Sequence, residues 1–140
     1  MGGSSIAELA VRPGPYCGRI MAWPDHLPDG CPPEDAPAAD GQVFRLVGEV
    51  PTADDFRSHF ERDPDRRWSD LCLACGLSVH ADVADAERTR QRFPALRSRA
   101  IAQGSLDASL GVMKPTGTRS HRTWWVTEDS EPWLVFEVTA

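Results

Sequence analysis

"QVFRLVGEV" (residues 42–50) is the stretch on which the fold turns. Phe44 and Leu46 alternate with Val43, Arg45 and Val47, so an extended chain presents apolar side chains to both sides, the pattern of a strand covered on both faces. Arg45 is the one polar exception, and Pro51 ends the run. A central strand in a chain of 140 residues is enough for one domain with a core of its own.

On the N-terminal side, seven of the twelve prolines fall between residues 13 and 37, and "LPDGCPPEDAPAADG" reads as an extended arm. The expected division is therefore a flexible or extended Pro-rich arm over residues 1–40 and a single globular domain over 41–140. Residues 1–20, with Cys17, are left outside the fold argument because "MAWPDHLPDG" at Met21 reads as a second start.

Downstream, "TADDFRSHFERD" predicts a helix with Thr52 as N-cap, Asp54 and Asp55 in the first turn and Phe56 and Phe60 on one face. "WSDLCLACG" predicts a short second helix stopped by Gly76, and "LSVHA" a strand. Asp82 caps a third helix, "VADAERTRQR", broken at Phe93 and Pro94. One short strand is expected around "LGVMK", then two closing strands, "RTWWVT" and "PWLVFEV". These elements make an α+β fold: a small mixed or antiparallel sheet of about four to five strands, with two to four helices packed on one face.

The content is 41% hydrophobic and 26% charged, and no apolar run approaches the roughly 18 residues of a spanning helix. The N-terminus lacks the basic start and apolar stretch of a signal peptide. The expectation is a soluble, cytoplasmic protein whose four cysteines are thiols or ligands rather than disulfides. Arginine supplies 14 of the 15 basic residues, and with abundant Ala, Asp and Pro this suggests a GC-rich bacterial genome.

Charge is segregated. Residues 21–65 carry 11 acidic and 3 basic side chains, whereas residues 88–122 carry 8 basic and 1 acidic. Either the two segments are separately solvated, or the basic one receives an anionic ligand or a protein partner. The overall charge of −6 argues against broad nucleic-acid binding.

Three constellations carry candidate chemistry. Cys72 and Cys75 form a CxxC pair with His80 five residues on. Gly76 places the pair at a helix C-terminus, where the dipole opposes a thiolate, so a redox role is disfavoured. A zinc site from Cys31, Cys72, Cys75 and His80 would make zinc the one implied cofactor, but structural zinc usually takes two close pairs, and the preferred reading puts the cysteines in the core.

The second constellation is "KPTGTRSHRTWWV". It joins Lys114, Arg119, His121 and Arg122 to Trp124 and Trp125, a mixture suited to an anionic ligand or a partner surface, with Arg88, Arg90, Arg92, Arg97 and Arg99 as supporting charge. The alternative is that the adjacent tryptophans point to opposite faces of a strand, one filling the core. No phosphate-binding motif such as a Walker loop or GxGxxG is present.

Third, Arg45, Ser78 and Glu137 stand on predicted strands in the order of the Arg, Ser, Glu triad of ADP-ribosyltransferases, and the chain resembles that family at these three residues. The resemblance implies that Arg45 holds a dinucleotide phosphate, Ser78 props the site and Glu137 orients the ribose. Ser78 sits in "GLSVH" rather than an STS-like run, and Glu137 has no second acid two positions earlier.

The leading functional expectation is a non-catalytic binding module using the basic, Trp-bearing surface of residues 114–125. The alternative is an enzyme acting on a nucleotide-like substrate, with Arg45, Ser78, His121 and Glu137 as catalytic candidates.

Overall fold

The computed structural model describes residues 22–140; the expectations for residues 1–20, Cys17 included, lie outside them. Six strands form one antiparallel sheet. They are β1 (Gly41–Val47), β2 (Leu77–His80), β3 (Ala100–Leu106), β4 (Val112–Pro115), β5 (His121–Trp125) and β6 (Phe136–Val138). Their order across the sheet is β4-β5-β2-β1-β3-β6, so the strand read as central lies inside the sheet. With the α-helices α1 (His59–Arg62), α2 (Leu71–Ala74) and α3 (Val83–Arg92), the fold is α+β, its sheet slightly larger than expected.

The added strand is β3. It runs antiparallel to β1 along its whole length, from Gly41 opposite Leu106 to Val47 opposite Ala100. Its sequence, "AIAQGSL", is too rich in small residues to signal a strand, and packing shows why they are small. A Cβ on Gly104 would stand 2.6 Å from the Phe136 ring.

Alternation along β1 divides the interior in two. Val43 and Val47 face the larger core with Leu77, Val79, Ala102, Met113, Trp124 and Phe136. Phe56, Trp124 and Phe136 meet there with ring centroids 5.0 to 6.3 Å apart. Phe44 and Leu46 face the other side, where Ile101 and Ala86 of α3 close a smaller cluster. The Asp82 side chain caps α3 by accepting from the Ala84 amide at 2.9 Å, as the sequence predicts.

The helix expected over residues 52–63 is instead a 3-10 turn, Ala53–Phe56, followed by the short α1. Two local contests explain the break. The Asp55 carbonyl, which a continuous helix would offer to the amide four residues on, accepts two hydrogen bonds from the Arg45 guanidinium, at 2.8 and 3.0 Å. Ser58 then starts a new helix as its N-cap, its hydroxyl accepting from the Glu61 amide at 3.2 Å. The last predicted strand is likewise divided, Pro132–Val135 being a 3-10 turn ahead of β6.

The described part of the proline arm is pinned to the domain. The Ala39 amide donates to Gly111, the Met113 amide to Pro37, and Cys31 is disulfide-bonded to Cys72 across 41 residues. The disulfide corrects two expectations: Cys31 and Cys72 are neither free thiols nor zinc ligands, because a bonded pair of sulfurs carries no thiolate. Cys75 is free and buried.

Two outcomes test this packing. Gly104→Ala should cost about 1–3 kcal/mol by forcing the Phe136 ring aside, read as a lower urea midpoint at unchanged m-value. Cys31→Ser with Cys72→Ser should lose about 2–4 kcal/mol relative to the oxidised protein, since a loop of this length is costly to close without the link. A variant as stable as the parent would show the disulfide to be unformed.

Candidate functional site

The sheet has a fault line. β1 and β2 are in register at Phe44 and His80 alone. Beyond that pair, toward Val47 and Leu77, the ladder does not continue, and the Arg45 side chain spans the opening. Besides its two bonds to the Asp55 carbonyl, Arg45 donates to the Ser78 carbonyl at 2.6 Å. Three of its five N–H groups are thus spent on backbone, leaving two without a partner among the described residues.

A cavity of about 740 Å³ lies over this opening. The 3-10 turn and α1 form one wall, α3 and the segment through Leu96 and Arg99 another, and the loop Gly117–Arg119 with His121 a third. Its lining includes seven arginines (45, 57, 62, 88, 92, 99 and 119) and three histidines (59, 80 and 121), against two carboxylates, Asp55 and Asp85.

Both carboxylates are already engaged. Asp55 is buried and accepts from the Gly48 and Thr52 amides at 3.0 and 2.9 Å, with Arg99 at 3.4 Å. Asp85 accepts from the Ser120 hydroxyl and amide at 2.6 and 3.1 Å and from Arg88 at 2.5 Å, and the Ser120 bonds hold it below the usual carboxylate range. Arg57 and Arg62 share the exposed Asp54. Among the described residues, Arg45, Arg92 and Arg119 make no ion pair with a carboxylate.

The cations therefore crowd one another. Burial, then the nearby Arg62, lowers Arg45 to about 10, with Asp55 opposing and Arg99 adding to the depression. Burial and then Arg45, Arg62 and Arg66 push His59 down as well. His80 is lowered by burial first and by His121 second, with Asp85 pulling the other way. Arg119 holds a left-handed backbone, φ 55°, a conformation unfavourable for any residue with a Cβ.

The candidates from sequence separate cleanly. Arg45, Ser78 and His121 line the cavity, whereas Glu137 is exposed on the edge strand β6, opposite Gln103. Arg119 lines it too, but Lys114 instead pairs with Asp35 of the arm at 3.0 Å, and Arg122 lies outside the lining. Trp124 and Trp125 are 0% and 1% exposed, which overturns the expectation of a Trp-bearing surface. Each points to its own side of β5 and donates its indole N–H to a carbonyl at 2.9 Å, Trp124 to Leu110 and Trp125 to Cys72. Burying an indole with its N–H satisfied is a packing role.

Of the supporting arginines, 88, 92 and 99 reach the cavity. Arg90 is held by Glu87 and the Arg99 carbonyl, and Arg97 by the Gln91 carbonyl. His80, read as a weak metal ligand, belongs instead to this cavity. Among the described residues no group of three or more His, Cys, Asp and Glu side chains is arranged to hold a metal ion.

Sequence reasoning missed His59, Arg57 and Arg62, and the signal was present. The three basic residues of the acidic segment, Arg45, Arg57 and Arg62, all line this cavity; averaging charge over the segment concealed them.

No family model matches the chain, and neither the curated proteins nor the solved structures contain a match.

The lowered histidines set a pH dependence. Folded, His59 and His80 take up protons less readily than in the unfolded chain, where titration occurs near pH 6.5. Below about that pH the unfolded state binds more protons, so stability should fall as pH drops from 7 to 5. The double variant His59→Gln, His80→Gln should flatten the decline in urea midpoint over that interval; an unchanged slope would assign it to other groups.

Proposed function

We propose that the cavity binds a small, phosphate-bearing, nucleotide-like ligand, and that the protein acts as an enzyme on that ligand rather than through a tryptophan surface. The observation that carries this reading is the convergence of seven arginines from both charge segments on one concavity whose two carboxylates are already bonded. Mutually repelling cations with spare planar N–H forks are the arrangement that an oxyanion with several oxygens relieves. The volume is in the range of small-ligand sites, and Leu46, Phe93 and Leu96 add apolar lining against which a base could lie.

The enzyme reading draws support from Arg45 and Ser78, which stand on adjacent strands across the opening, as the likeness to ADP-ribosyltransferases asks. It departs from that likeness at Glu137, which is exposed on the edge strand and lies outside the cavity lining. The non-catalytic reading, with a protein partner on residues 114–125, loses its aromatic anchors to the core.

The location is part of the same proposal. No helix among the described residues is long and apolar enough to cross a membrane. A cytoplasmic site would expose the Cys31–Cys72 bond to reducing conditions, so thiol trapping of Cys31 in intact cells tests that placement directly.

Calorimetric titration with ADP-ribose at low ionic strength should give saturable binding that weakens as salt is raised. Arg92→Ala and Arg119→Ala should each weaken it about 5- to 30-fold, the loss of one charge-assisted contact. Arg119→Gly should weaken binding similarly while leaving stability unchanged or higher by up to about 1 kcal/mol, because glycine relieves the left-handed backbone. Incubation with NAD should release free nicotinamide as water takes up the ADP-ribosyl group, a release slowed in Arg92→Ala, whose guanidinium lines the cavity without an ion pair to a carboxylate. Absence of binding by ADP-ribose, AMP and pyrophosphate at millimolar concentration would overturn the reading; binding without nicotinamide release would remove the ADP-ribosyl chemistry alone.

A further inference from the structure

Resting on the cavity reading above, we infer that the paired imidazoles of His80 and His121 recognise sugar hydroxyls, so that the ligand is a sugar phosphate rather than a bare oxyanion or a phosphorylated peptide. The two residues face each other across β2 and β5, in register, with ring centroids 5.4 Å apart, and both line the cavity.

The tautomer of His121 follows from its partners. Its Nδ1 lies 3.0 Å from the Thr116 carbonyl and 3.0 Å from the Thr116 hydroxyl. A carbonyl oxygen can only accept, so Nδ1 carries the hydrogen, and Nε2 of the neutral ring presents a lone pair. No described residue donates to that Nε2. The ring is held in place because the Thr116 hydroxyl is itself bonded to that of Thr123 at 2.8 Å, a support that fixes orientation.

His80 supplies a second, independent observation. It is 8% exposed, its Nε2 is 3.4 Å from the Thr89 hydroxyl, and its Nδ1 has no hydrogen-bond partner at all. A buried ring nitrogen without a partner is costly, and a turn of the ring that brought it to a ligand hydroxyl in the cavity would relieve that cost. Ser78, two residues earlier on the same face of β2, adds a hydroxyl to the same end of the cavity.

Arg119 shares the wall of His121, so this end sets imidazoles beside guanidinium groups. The nearest carboxylate, Asp85, is occupied by Ser120 and Arg88 and gives neither imidazole a salt-bridge partner. Burial and mutual proximity favour the neutral form of His80. An imidazole can exchange hydrogen bonds with hydroxyls, while the guanidinium groups, that of Arg119 included, are the natural partners of phosphate. One cavity thus offers guanidinium groups and imidazoles together, and a sugar phosphate presents both a phosphate and hydroxyls to them.

The experiment compares ribose 5-phosphate with inorganic phosphate by calorimetry at pH 7.5 and fixed ionic strength. The wild-type protein should bind ribose 5-phosphate at least about tenfold more tightly. His121→Asn keeps a donor near the Thr116 carbonyl and removes Nε2; His80→Gln keeps a polar group near Thr89 and removes the unpartnered Nδ1. Each should erase most of that preference while leaving phosphate affinity within about twofold, whereas Arg92→Ala should weaken both probes together. Thermal melting in parallel verifies that each variant is folded. Equal affinity for the two probes in the wild type, or a preference that survives in both folded histidine variants, overturns the inference and leaves the cavity reading standing. Failure of both probes and of ADP-ribose to bind overturns the cavity reading and the inference with it.

Discussion

Arg45 is the residue on which the arrangement depends. A cation on a central strand is expensive to bury, and the chain offsets the cost with three hydrogen bonds to backbone carbonyls from two segments far apart in sequence. Those bonds hold β1 to β2 where the strand ladder stops, and they take the Asp55 carbonyl out of the helix it would otherwise continue. The interrupted helix then turns Phe56 into the core and sends Arg57, His59 and Arg62 to the rim of the opening. Without Arg45 the two carbonyls would lose their partners, and the opening would have nothing across it.

The fold was readable wherever a local rule coincided with the tertiary demand. β1, β2 and α3 follow from alternation and from the Asp82 cap; the structure places β2 and α3 within a residue of expectation, while β1 stops at Val47, three residues short of Val50. Local rules failed where a distant residue outbid them. The Asp55 carbonyl answers to Arg45, Ser58 restarts the helix, and the small residues of β3 make room for Phe136, a residue more than thirty positions away. The disulfide was illegible for the same reason: nothing near Cys31 or Cys72 announces that the arm returns to α2.

The candidate site was half legible. Arg45, Ser78, Arg119 and His121 were identified from residue type and strand order, and the sheet brings them to one cavity. Trp124 and Trp125 misled because tryptophan beside arginine suits an exposed surface as well as a core strand, and β5 lies inside the sheet with both faces covered. Arg57, His59 and Arg62 were hidden inside a strongly acidic segment. Charge counted along the chain gave two opposed blocks; charge counted around the cavity is nearly all of one sign.

The central claim, that this cavity is where the protein meets its ligand, is tested most directly by titrating isotopically labelled protein with ADP-ribose while following arginine Nε–H and histidine ring resonances. The account predicts that the responding signals belong to Arg45, Arg92, Arg99, Arg119, His80 and His121, with Arg90, Arg97 and Arg122 silent. Shifts confined to Arg122 and the edge strand, or no shift at saturating ligand, would contradict it.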